Sequence, residues 1–116
     1  MNPADVLDLF SKLCLVSNDV LLLTQPSGFI LAVNNQAVEF YGWSEQELKA
    51  KAIYQLQGPD PSWYADFGTL KEKGHFRFET IHKTKTNSAI PVEVSSTCIS
   101  FNDQEFVVNT IRNISE

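Results

Sequence analysis

The chain has 116 residues, enough for one domain with a buried core and a small internal cavity. Its net charge of −5, from 14 acidic and nine basic residues with no basic cluster longer than the scattered Lys83 and Lys85, excludes the clustered phosphate neutralisation that nucleic-acid binding requires. No apolar run approaches the ~20 residues of a membrane span, no secretory pattern opens the chain, and two distant cysteines give neither metal spacing nor a disulfide framework, so a reducing, cytoplasmic location without direct membrane contact is expected.

Asn2-Pro3 reads as an N-cap followed by proline at the first helical position. Val6, Leu9, Leu13 and Val16 then recur at helical spacing, which predicts an amphipathic helix over roughly residues 3–16. Asp5, Asp8, Ser11 and Lys12 take its other side, and the two aspartates suit the positive end of the helix dipole. Asp19 to Thr24 is a dense apolar run without helical caps, hence a buried strand. Gln25-Pro26-Ser27-Gly28 is a turn, and Phe29 to Val33 completes a hairpin.

Ala37, Phe40 and Tyr41 are spaced for one face of a short helix, and Gly42 ends it. Ser44-x-x-Glu47 is a capping box that opens a second helix. Ile53, Tyr54 and Leu56 form a short apolar patch, broken by Gly58-Pro59-Asp60-Pro61. Asp60 then reads as the N-cap of a third helix, about residues 61–73, with Trp63, Phe67 and Leu70 on one face and Gly74 after its end. The remainder is strands. Phe76, Phe78 and Thr80 alternate with Arg77, Glu79 and Ile81, and Lys83 to Ser88 is a polar turn. Ile90 to Ile99 alternates again, with Val92, Val94, Ser96 and Cys98 on one face. Phe101-Asn102-Asp103-Gln104 turns the chain into a last strand, Glu105 to Ile111. Asn113-Ile114-Ser115 matches a glycosylation sequon, which without other signs of secretion is a chance match. Strand runs with segregated helices predict an α+β fold on an antiparallel sheet.

No residue set suggests catalysis or a metal centre. Enzymatic chemistry needs a nucleophile, a base and an orienting group in proximity, and neither a triad pattern nor a phosphate loop is present. Cys14 and Cys98 read as small buried hydrophobes, and Glu39, Glu79 and Glu93 as solvated acids. His82 reads as an exposed strand residue, and His75 falls just after the third helix. The aromatics Phe40, Tyr41, Trp43, Tyr54, Trp63, Phe67, Phe76 and Phe78 lie in or near the elements around the interior. They either fill it or leave a pocket for a small organic ligand. In the second case Phe40, Tyr41, Tyr54, Trp63, Phe67 and Phe78 line it, and Ser96, Thr97 or Asn109 offer polar contacts. A small enzyme of a similar α+β cone fold would need Glu79 or Glu93 turned inward.

The order of these elements resembles the PAS family over about residues 17–116, with residues 1–16 as a flanking helix. Asn34, Ala37 and Gly42-Trp43-Ser44-Glu45-Gln46-Glu47-Leu48 match the family's pattern at its first short helices. Phe78-Glu79-Thr80 and Pro91-Val92-Glu93-Val94-Ser95 match its later strands. Lys85-Thr86-Asn87-Ser88 stands where Lys-Asp-Gly-Ser is usual, and Asn tolerates the left-handed backbone that Gly supplies. The resemblance implies a five-stranded antiparallel sheet with short helices on one face. It implies a sensory module that binds a small ligand or partner and regulates a covalently linked histidine kinase or diguanylate cyclase. It also implies a homodimer through the sheet and the N-terminal helix, with Val6, Leu9, Leu13 and Val16 as the interface. A pure interaction and dimerisation domain with a filled core is the alternative. Neither flavin nor haem is expected. Leu56-Gln57-Gly58-Pro59 resembles the segment that follows the reactive cysteine of light-sensing members, but Ile53 stands at the cysteine position; the third helix carries no histidine. Family members often end on Asp-Ile-Thr, where this chain has Asn113-Ile114-Ser115, so a carboxylate that could pair with a cation is an amide here.

Overall fold

The structure is a computed structural model that describes residues 3–16, 18–56 and 71–115. Helix α1 spans Pro3–Val16. Strands β1 (Val20–Thr24) and β2 (Ile30–Val33) form the first hairpin. Helices α2 (Asn35–Tyr41) and α3 (Glu45–Leu48) and a 3-10 turn at Ile53–Leu56 follow. Strands β3 (His75–Lys83), β4 (Ala89–Phe101) and β5 (Gln104–Asn113) end the domain. All five strands join one sheet in the order β2-β1-β5-β4-β3, antiparallel throughout. The two ends of the chain thus supply neighbouring strands, β1 against β5. The predicted third helix is described only at residues 71–73, which are helical and end at Gly74; its N-cap Asp60 and the residues Trp63, Phe67 and Leu70 lie outside the described residues.

Local chemistry places the elements where the sequence predicts them. Strand β1 is buried at all five positions because it is covered on both faces, which explains a dense apolar run in place of alternation. The Ser44 hydroxyl accepts from the Glu47 N–H, and the Glu47 carboxylate accepts from the Ser44 N–H, closing the capping box. Gly42 takes φ +79° at the end of α2, and Asn87 takes φ +67° in the turn between β3 and β4, a left-handed backbone that Asn tolerates.

The sheet buries two cores. On its inner face Leu22, Val92, Val94 and Ile111 pack with Tyr41, Leu48 and Leu56 from the helices. On its outer face Leu21, Leu23 and Phe106 pack with Val6 and Phe10 of α1. The outer contact corrects the predicted seam. Val6 and Phe10 are each 4% exposed, whereas Leu9 and Leu13 are 41% and 39% exposed. Phe10 and Cys14 follow Val6 at intervals of four, so the line that meets the sheet is centred on the phenyl ring and Leu9 and Leu13 fall beside it. The side chain of Val16 lies outside the described residues. Beyond α1, the outward residues of β3 are exposed, and Glu79 stands directly opposite Glu93. That like-charge pair is offset by Arg112 at 3.1 Å and Arg77 at 4.0 Å from Glu93.

The start of α2 depends on Asn34. Its Oδ1 accepts from the N–H groups of Ala37 (3.0 Å) and Leu21 (3.1 Å), and its Nδ2 donates to the Asp19 carbonyl (2.7 Å). One carboxamide therefore caps α2 and ties it to β1. Losing a cap costs about 0.5–2 kcal/mol, and leaving a buried N–H without an acceptor costs about 1–3 kcal/mol. Asn34→Ala should therefore lower the free energy of urea unfolding by about 2–4 kcal/mol. Asn34→Asp keeps both acceptor contacts but sets a carboxylate oxygen against the Asp19 carbonyl that Nδ2 meets at 2.7 Å, so it should be destabilised as well. Equal stability of wild type and Asn34→Ala would refute this role.

Candidate functional site

The interior between the sheet's inner face and the short helices is where a site could form. Helix α2 runs two turns from Asn34 to Gly42 and delivers Ala37 and Tyr41 to it, both fully buried. Phe40 is half-buried and meets Tyr41 edge to face, with ring centroids 4.8 Å apart. From β3, Phe78 packs at the margin of the same core, and Phe76 lies 5.7 Å from it between centroids.

The polar centre of this space is a pair that the sequence reading did not predict. Tyr41 Oη lies 2.8 Å from His82 Nδ1, and both residues are fully buried. The expectation of an exposed His82 is thus corrected. Its parity along β3 is that of Phe76, Phe78 and Thr80, so the alternation that turns those residues inward also turns His82 inward; that was the available signal. The backbone ties the pair down further, since the Tyr41 carbonyl accepts from the Lys85 N–H at 2.8 Å. His82 Nε2 is buried and has no hydrogen-bond partner among the described residues. Burial pushes the imidazole down to about 4 and raises the Tyr41 phenol above its ordinary value, so the pair is neutral at neutral pH.

The other predicted site residues are not all brought together. Ser96 and Asn109 are buried neighbours across β4 and β5, but they satisfy one another. The Ser96 hydroxyl donates to Asn109 Oδ1 at 2.7 Å, and Asn109 Nδ2 donates to the Leu22 carbonyl and the Thr24 hydroxyl, each at 3.2 Å. They knit β1, β5 and β4 together and leave little capacity for a ligand. Thr97 points outward and meets His75 at 3.0 Å. Tyr54 is 44% exposed at the end of the helical layer. Trp63 and Phe67 lie outside the described residues. Trp43, half-buried, carries Lys51 Nζ 3.9 Å from its ring centroid, a cation–π contact that closes the outside of the layer.

Elsewhere, a groove of about 390 Å³ runs between α1 and the β2–α2 edge, lined in part by Leu7, Phe10, Cys14, Ala32 and Lys49. Burial raises the thiol pKa of both Cys14 and Cys98, which keeps them protonated and poorly nucleophilic. Among the described residues no group of three or more His, Cys, Asp and Glu side chains could hold a metal ion, and no helix is long and apolar enough to cross a membrane.

The buried imidazole makes stability depend on pH in a set direction. The unfolded imidazole, with an ordinary value of 6.5, binds a proton that the folded one refuses until about pH 4. Its contribution is complete above about pH 6.5 and is lost as pH falls toward 4, by about 3 kcal/mol at most. Urea unfolding of wild type between pH 7 and 4.5 should show this fall, and His82→Gln should show a shallower one. Parallel profiles would contradict a buried, neutral His82.

A family model described as a PAS domain matches residues 18–116. No curated protein matches the sequence at a significant level. Among solved structures, the PAS domain of a two-component sensor histidine kinase superposes with a TM-score of 0.77 at 17% identity, covering 95% of this chain and 98% of that one. The PAS domain of the fruit-fly ELK potassium channel gives 0.76 at 17% identity, over 95% and 98%. That of nitrogen regulation protein NR(II) from Vibrio parahaemolyticus gives 0.71 at 15% identity, over 91% and 98%. At these identities the likeness speaks for the fold, and it agrees with the strand order, the capped short helices and the match of the family model. This chain belongs to the PAS domain family.

Proposed function

We propose that this domain is a sensory module without catalysis of its own, which regulates a linked output domain, a histidine kinase or a diguanylate cyclase, from the cytoplasm. A small ligand or partner would favour one of two packings of sheet and flanking helices, and differential affinity for the two is the physical requirement. The observation that carries the reading is the surface of α1. Val6 and Phe10 anchor the helix to the sheet, while Leu7, Leu9, Leu13 and Leu15 stay exposed on the same 14-residue segment. Apolar surface of this density favours a protein partner, and a second copy of the same helix offers a matching one. Val6 belongs to the domain's own core, so among the described side chains the proposed dimer contact falls to Leu9 and Leu13.

A second reading, an interaction domain with a filled core and no ligand, is favoured by the close packing around Tyr41 and by the closed Ser96–Asn109 network.

Leu9→Glu and Leu13→Glu should weaken the dimer without unfolding the domain, because both side chains are already partly solvated. Sedimentation velocity should show the dimer boundary of wild type moving toward that of a monomer. An unchanged sedimentation coefficient in both variants would remove α1 from the interface.

A further inference from the structure

The two edges of the sheet are finished differently. Strand β2 is short and its outer side is taken, because the Ile30 N–H donates to the Lys51 carbonyl at 3.0 Å and Phe29 bridges Ala52. Strand β3 runs nine residues from His75 to Lys83 in unbroken register with β4, with neither a bulge nor a proline. Its parity identifies the backbone groups that β4 leaves over. The Cys98 N–H donates to the Gly74 carbonyl at 3.1 Å, and the Thr84 N–H donates to the Ser88 carbonyl at 3.0 Å. In this register the even-numbered residues of β3 therefore form the hydrogen-bonded pairs with β4. The N–H and C=O groups of His75, Arg77, Glu79 and Ile81 point the other way, and among the described residues nothing pairs with them. The open stretch ends at Lys85, of the same parity, whose N–H meets the Tyr41 carbonyl at 2.8 Å. Such an edge is a template for a further strand.

We infer that β3 pairs antiparallel with the β3 of a second copy of this chain, about a two-fold axis at Phe78, so that two sheets become one. The side chains select both occupant and register. With Phe78 opposite Phe78 of the second copy, Arg77 faces Glu79, Glu79 faces Arg77, and His75 faces Ile81. All these residues carry free backbone groups, and two opposite-charge pairs form across the strands, each favourable. Both charges are available. Glu79 has no ion pair among the described residues, and Arg77 stands 4.0 Å from Glu93, which Arg112 already holds at 3.1 Å. The same register covers the half-buried rings of Phe76 and Phe78, 5.7 Å apart between centroids. An axis at Glu79 would set that carboxylate against its own copy, and one at Thr80 would set Arg77 against Lys83. Charge on an edge usually guards against pairing; here it is arranged to match itself. A single strand pair is a small, transient contact. It lies at the far edge from β1 and β5, on which α1 packs, so it goes beyond the α1 dimer and does not depend on it. Where both contacts form, chains joined alternately through α1 and β3 build assemblies larger than a dimer.

Parity and charge make the test specific. Leu9→Glu combined with Leu13→Glu removes the α1 contact, so that β3 is read alone. In that variant, amide hydrogen exchange followed by NMR should slow at Arg77, Glu79 and Ile81 by about tenfold between about 20 μM and about 1 mM protein. Phe76, Phe78 and Thr80 should be protected at both concentrations. In sedimentation equilibrium, Arg77→Glu and Glu79→Arg should each weaken association about tenfold, since each sets like charges opposite in both pairs. The double swap should restore it, and so should mixing the two single variants. Glu79→Arg also removes the opposed Glu79–Glu93 pair, so its unfolding stability should not fall, which separates a lost contact from a lost fold. Exchange independent of concentration at the odd-numbered amides, equal association of the single variants and their parent, or a double swap that fails to restore it would each overturn the proposal. Odd-numbered amides already protected at the lowest concentration would overturn it too, because the edge would then be covered from within the chain. If the α1 variant keeps the wild-type sedimentation coefficient and Arg77→Glu lowers it, α1 leaves the interface and β3 remains, so the two contacts fail separately.

Discussion

The carboxamide of Asn34 fixes where α2 begins, and α2 fixes what the interior contains. Its oxygen accepts from both β1 and the first turn of α2, while its nitrogen holds the Asp19 carbonyl. From that start, two helical turns carry the chain to Tyr41, and Gly42 turns it away in a left-handed conformation. A helix of seven residues has little stability of its own, so its placement rests on these two ends and on Ala37 and Tyr41 at its buried face. Had α2 begun one residue later, Tyr41 would have rotated by about 100° and could not meet His82.

The two faces of the sheet divide the work. The inner face holds the Tyr41 core and the polar cross-link of Ser96, Asn109 and Thr24, which joins the central strands β1, β5 and β4. The outer face holds α1 at one side and exposed charge at the other, where Arg77 and Arg112 offset the opposed Glu79 and Glu93. The two cores share their strands, β1 above all, with Leu22 inside and Leu21 and Leu23 outside. At the chain's end, Asn113 Oδ1 accepts from the Ser115 N–H at 2.9 Å and from its hydroxyl, a local turn that uses the amide oxygen where the family often has a carboxylate.

Much of the fold was legible because its signals are local. The capping box at Ser44, the glycine stop at Gly42, the left-handed Asn87 and the alternation of β3 and β4 each depend on a few adjacent residues and appear as predicted. The site was less legible because it depends on contacts distant in sequence. Nothing near His82 shows that Tyr41, 41 residues earlier, will supply its hydrogen bond. Asn109 looks like an available polar group until Leu22 and Thr24 take its amide. The choice of Phe10 over Leu9 as the helix contact is likewise a matter of how α1 crosses the sheet, which spacing alone leaves free within one residue.

The central claim is that a dimer carries a small molecule in its interior. Native mass spectrometry of freshly purified protein, compared with a denatured sample, tests it most directly. The account predicts twice the chain mass plus a non-covalent increment of a few hundred daltons that denaturation releases. A species with no increment would contradict ligand sensing and favour a filled interaction domain, and a bare monomer would contradict the dimer as well.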